Sequence, residues 1–75
     1  MQNIVGRRVK EARRKAKPKI TQEELAVKLQ VQDWEIYRVG IAKIEAGDRK
    51  VSDIELLKLS KALGVSVAWL MGESK

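Results

Sequence analysis

Three segments of this chain open in the same way, and the repetition restricts it to a helical fold. Ile20-Thr21-Gln22-Glu23-Glu24-Leu25 sets a hydroxyl residue where a helix begins, an acid three positions later, and an apolar residue on either side. In that layout the hydroxyl oxygen accepts from a first-turn N–H and the carboxylate reaches back to the cap N–H. The flanking apolar pair staples the entry. Val51-Ser52-Asp53-Ile54-Glu55-Leu56 repeats the layout in full, and Val65-Ser66-Val67-Ala68-Trp69-Leu70 keeps the cap and staple without the acid. Strand signals are missing, with no Phe, one Tyr and no sustained alternation of apolar and polar residues.

Ahead of the first cap, Val5, Val9, Ala12 and Ala16 step by helical intervals, a narrow apolar stripe on a basic helix that Pro18 ends. Leu56, Leu59 and Leu63 form a second stripe, with stops at Gly64 and Gly72. The predicted helices span 3–16, 22–30, 38–46, 53–63 and 67–71. Between the second and third, 29–36 contains neither Gly nor Pro, so helix two has room to run on. Val31, Trp34 and Ile36 are expected to fold under as a small satellite cluster, with base stacking the alternative use of Trp34. Trp69 and Leu70 are expected under helix four. Val67 and Met71, four apart, offer either a two-fold contact between monomers or a cover for the monomer's own core.

The third helix carries the chemistry. At about 100° per residue, Gly40, Ile41 and Ile44 share one arc, while Arg38, Val39, Ala42, Lys43 and Ala46 share the opposite one. The first arc is fit to bury. The second offers two cations and small apolar groups with no acid, which suits a DNA groove, where Arg and Lys donate to guanine and apolar groups meet thymine methyls.

Size and charge narrow the choice of function. Seventy-five residues suit one domain, 1–75, with no room for a separate catalytic or ligand-sensing unit. A chain this short buries only about 60% of its unfolded surface. Cys and His are both absent, so disulfides, thiolate or imidazole metal sites and a Ser-His triad cannot be built. No loop has the acidic spacing of a calcium site, and neither a catalytic role, a metal nor a cofactor is expected. The apolar runs are too short for a membrane span, and Met1-Gln2-Asn3 does not open a signal peptide. A reducing cytoplasm would suit such a chain. The net charge of +6 is uneven: residues 1–19 hold eight basic residues and one acid, leaving −1 for 20–75. That asymmetry fits either a polyanion partner or a solvated basic helix.

Three stretches then resemble a known family. Gln22-Glu23-Glu24-Leu25-Ala26, Ile41-Ala42-Lys43-Ile44-Glu45-Ala46-Gly47 and 63–73 look, in this order, like the helix-turn-helix domain of phage repressor/Cro-type regulators, the xenobiotic-response-element family. The likeness covers roughly 4–73. It implies a compact all-α five-helix domain in which helix two crosses the DNA backbone and helix three enters the major groove. By position it puts Thr21 and Gln22 against phosphate, where N-terminal amides suit an anion. It puts Tyr37, Arg38, Val39 and Lys43 at base-reading positions, and Gly47-Asp48-Arg49-Lys50 beside the phosphates that follow. It also pairs Arg13 with Glu45 as an inter-helix salt bridge, where a solvated surface acid is the alternative for Glu45. Partners implied are double-stranded operator DNA, in two half-sites, and a second copy of the chain, at least on DNA. The setting implied is the cytoplasm of a bacterium, for a bacterial or phage-encoded protein. The chain departs from the usual pattern by a longer stretch between Arg13 and Thr21 and a longer link from Val31 to Ile41. Tyr37 stands where a small N-cap is usual, and Gly40 weakens helix three by up to about 1 kcal/mol of propensity.

The resulting expectation is a sequence-specific DNA-binding transcriptional regulator, a repressor, that reads the major groove with helix three. The competing readings are a protein-interaction adaptor or toxin-binding antitoxin built on the same five helices, and a weakly specific binder of nucleic acid or anionic membrane.

Overall fold

The computed structural model describes residues 4–73, in which five helices follow one another: α1 (Ile4–Lys15), α2 (Gln22–Val31), α3 (Arg38–Ala46), α4 (Asp53–Leu63) and α5 (Val67–Leu70). The architecture is all-α, as expected from the caps. The expected helix start at Asn3 and the readings placed on 1–3, 74 and 75 lie outside the described residues. The caps at Thr21 and Ser52 form complete reciprocal boxes with Glu24 and Glu55, and the Ser66 hydroxyl accepts from the Trp69 N–H. No helix among the described residues is long and apolar enough to cross a membrane.

One core gathers a few residues from each helix: Val9 and Ala12 from α1, Leu25, Ala26 and Leu29 from α2, Ile41 and Ile44 from α3, Leu56, Leu59 and Leu63 from α4, and Leu70 from α5. Each fully buried Leu or Ile contributes about 1.5–3 kcal/mol relative to exposure, so the loss of one is a large share of a small domain's stability. α1 packs on α3, α4 and α5, and α2 packs on α3 and α4.

The α2–α3 link departs from expectation. Trp34 and Ile36 do not form a satellite; they belong to the main core. Val31 does not join them and is 80% exposed. The reason is periodicity: α2 continues through Val31, which lies about 200° around the helix from the buried Leu29. The chain then stops on Asp33, whose φ of 65° is left-handed. The Asp33 N–H donates to the Gln30 carbonyl (3.0 Å) and the Trp34 N–H to the Leu29 carbonyl (3.1 Å). This is a Schellman stop with Asp in place of Gly, one of the few side chains that tolerate that conformation. The Gln30 amide donates to the Ile36 carbonyl (2.8 Å) and the Gln32 amide to the Lys58 carbonyl (2.9 Å), fixing the link at both ends.

α5 also differs in detail. Leu70 is buried, but Trp69 turns towards α1, where the Arg8 guanidinium lies 4.5 Å from its ring centroid. Val67 packs against the core, so of the Val67/Met71 pair only Met71 is exposed.

Gly40 has a role beyond its propensity. A Cβ at this position would sit 2.6 Å from Ile36 Cγ1 and 3.0 Å from Cδ1. Ile36 is buried, and the glycine leaves room for its side chain where the link passes α3. Gly40→Ala is therefore expected to lower stability by about 1–3 kcal/mol, the range for overpacking, despite its better helix propensity. A urea melt checks the sign: a raised midpoint would show that Ile36 moves freely.

Candidate nucleic-acid interface

The outward face of α3 depends on a group of side chains behind it. The Arg13 guanidinium closes on Glu45 as a fork, Nε donating to Oε2 (2.8 Å) and Nη2 to Oε1 (3.0 Å). Nη1 donates to the Ile20 carbonyl (3.1 Å), and the Gln22 amide donates to Glu45 Oε1 (3.1 Å). The Arg13 and Glu45 side chains are only 12% and 5% exposed. α1, the entry to α2 and the last turn of α3 thus meet at one carboxylate. Planar bidentate pairing fixes direction as well as distance, so the pair sets the roll of α3 about its axis.

With that roll, Ile41 and Ile44 point inward and are fully buried, while Arg38, Val39 and Lys43 point outward and are exposed. No ion pair joins Arg38 or Lys43 to any described acid. Gly47 ends the helix with φ 85°, and the Asp48 N–H donates to the Lys43 carbonyl (2.9 Å), closing a Schellman turn that returns the chain along the same side. Tyr37 is the N-cap, but its side chain caps nothing. Its hydroxyl donates to Glu35 Oε2 (3.3 Å) and its ring is exposed, leaving the first-turn N–H groups of α3 without a side-chain acceptor.

At the start of α2, the capping box occupies the Thr21 oxygen as an acceptor and leaves its hydroxyl hydrogen to donate. Gln22 spends one amide hydrogen on Glu45 and keeps a second. Both retain a hydrogen to donate. Lys50 is exposed and makes no ion pair with a described acid. Arg49 is placed differently. Its guanidinium donates to both Glu55 oxygens (3.3 and 3.1 Å) and lies 5.4 Å from the Trp34 ring centroid. The structure therefore separates Arg49 from Lys50: it joins the loop after α3 to the cap of α4 and covers Trp34. Trp34 is 8% exposed, which leaves the core role and removes the base-stacking alternative.

The Arg49–Glu55 pair was not legible in the sequence, although Glu55 stands six residues on and already serves the cap. Partial burial pushes the Glu55 carboxyl up, but hydrogen bonds from Arg49 and from the Ser52 backbone outweigh it, and the group titrates below the ordinary carboxylate value of 4.5. A depressed carboxyl favours the folded state above its unfolded pKa, and the contribution disappears as pH falls through the folded one. Glu55→Gln should accordingly flatten the loss of stability on acidification below about pH 4.5. Melting midpoints measured across that range give the test, and parallel curves for the two chains would refute the pair's role.

A helix-turn-helix family model matches residues 9–70 of the chain. No match is found among curated proteins or among solved structures. The match takes in Arg13, the α2–α3 pair, Glu45 and the core of α4 and α5, which together pose the exposed face of α3. The chain belongs to the Cro/C1-type helix-turn-helix family, a family of DNA-binding domains of the transcription-regulator type.

Proposed function

We propose that this protein is a sequence-specific transcriptional regulator, a repressor, that reads the major groove of operator DNA with α3. The observation that carries the reading is the outward face of α3. Arg38 and Lys43 are exposed cations not paired with any described acid, and Val39 beside them is 57% exposed. Side chains of this kind match the donor, acceptor and methyl pattern of major-groove base edges. Arg38 and Lys43 take guanine acceptors, Val39 meets a thymine methyl, and Tyr37 stands at the helix entrance. Thr21, Gln22 and Lys50 hold phosphates and set the register without reading sequence. Arg49 reaches a phosphate only by sharing or leaving Glu55. The protein binds as a homodimer, at least on DNA, on two half-sites about one helical turn apart, and works in the cytoplasm. The exposed Met71 beyond α5 is the side chain we assign to the contact between copies.

Two readouts separate the roles. A good bidentate contact is worth about 1–3 kcal/mol against a wrong base, so Lys43→Ala should relax preference at one base position and leave non-specific binding almost intact. Lys50→Ala should weaken every sequence alike, with a log–log salt slope shallower than that of wild type by about 0.9, the share of one phosphate. Selection of bound sequences from a random pool checks this. A selected motif unchanged in both Arg38→Ala and Lys43→Ala would rule out α3 as the reader.

A further inference from the structure

The basic residues of α1 do not all serve the fold. Arg13 is taken by Glu45, Arg8 by Trp69 and, at 3.9 Å, by Glu11, and Lys15 by Glu11 at 2.8 Å. Arg7, Lys10 and Arg14 remain exposed, with no ion pair to any described acid. Glu11, the acid of this helix, pairs with Lys15 and Arg8, and the charge of Arg7 also acts on it from a distance.

The three are aligned. At about 100° per residue, Lys10, Arg14 and Arg7 lie roughly 60°, 100° and 120° from Arg13 in one sense around the helix, and Arg8 lies about 140° in the other. Arg13 marks the flank of α1 that touches α3, and Arg8 marks the flank that touches α5. The free cations therefore line the outward pole of α1 between the two flanks, with Lys10 nearest the α3 side. Along the axis, Arg7 to Arg14 covers about 10.5 Å at 1.5 Å per residue. One DNA strand carries a phosphate every 3.4 Å of its axis, so about three phosphates pass in that length. The spacing and the charge suit a phosphate backbone.

We propose that Arg7, Lys10 and Arg14 form a phosphate-binding ridge that takes the DNA backbone flanking the site read by α3. The ridge adds affinity without sequence preference and lengthens the footprint beyond the helix-turn-helix. This rests on the reading that α3 faces DNA, but it is measured separately from base preference.

The test uses the whole chain, the variant Arg7→Gln/Lys10→Gln/Arg14→Gln, and a charge-matched control, Lys28→Gln/Lys58→Gln/Lys61→Gln, whose sites lie on α2 and α4. Each is titrated with the selected site carrying about 2 or about 10 base pairs of flank, a helical turn being about 10, and with a scrambled duplex of each length. Melting curves confirm that all three chains are folded. The ridge variant should lose the affinity that the long flank gives wild type, and its salt slope should be shallower by about 2–3, so that raising salt from about 50 to 200 mM weakens wild type roughly 20–60-fold more. The control should keep the flank gain, and the selected motif should be the same in all three. A ridge variant that keeps the flank gain, a loss that ignores flank length, or a control that matches the ridge variant each overturns the proposal. A wild-type chain that prefers no sequence overturns the regulator reading instead, and the ridge is then judged on the scrambled duplexes alone.

Discussion

Arg13 and Glu45 meet almost out of water, and the placement of α3 depends on how their charges are satisfied. Taking two charges out of solvent is costly, and attraction offsets the cost only when the remaining donors and lone pairs are also matched. Here they are: the fork takes both carboxylate oxygens, Gln22 adds a donor to one of them, and Nη1 finds the Ile20 carbonyl. An apolar pair of similar volume would hold the helices as firmly, but it would not fix their rotation. Rotation is what the proposed function needs, because turning α3 by one residue's angle would carry Lys43 towards the core and Ile44 towards solvent.

The other end of α3 is held by packing. Ile36 lies under Gly40, the Gln30 amide holds the Ile36 carbonyl, and Asp33 turns the chain out of α2 so that Trp34 and Ile36 enter the core. The long link from α2 to α3 is thus an ordered support for the helix entrance. Arg49 closes the arrangement from the far side by covering Trp34 while bonded to Glu55 at the start of α4. A largely enclosed carboxylate at one end of α3 and a buried isoleucine at the other hold the exposed face between them in place.

Much of this was legible in the residues. Caps and stops are local chemistry, so Thr21, Ser52, Ser66, Gly47 and Gly64 mark the helix limits to within about a residue or two, which is as well as such limits are defined. The inward and outward arcs of α3 follow from period alone. What was not legible is non-local. Asp33 as a helix stop depends on a left-handed conformation that Asp only occasionally adopts. Val31 looked like part of an apolar cluster until the end of α2 was known. Gly40 read as a weakness because its neighbour Ile36, four residues earlier, reaches it only through the fold of the link. The resemblance puts Arg49 beside phosphate, and nothing in a basic loop shows which carboxylate will take it.

The most direct test of the fixed roll of α3 is a double-mutant cycle at Arg13 and Glu45, followed by urea unfolding. Removing either partner alone should cost about 3–5 kcal/mol, since it strands a nearly buried charge. Replacing both, as Arg13→Met/Glu45→Leu, should recover a substantial part of the summed loss, giving a coupling well above the few tenths of a kcal/mol seen for independent sites. Losses that simply add would mean that the two side chains act separately and that something else orients α3.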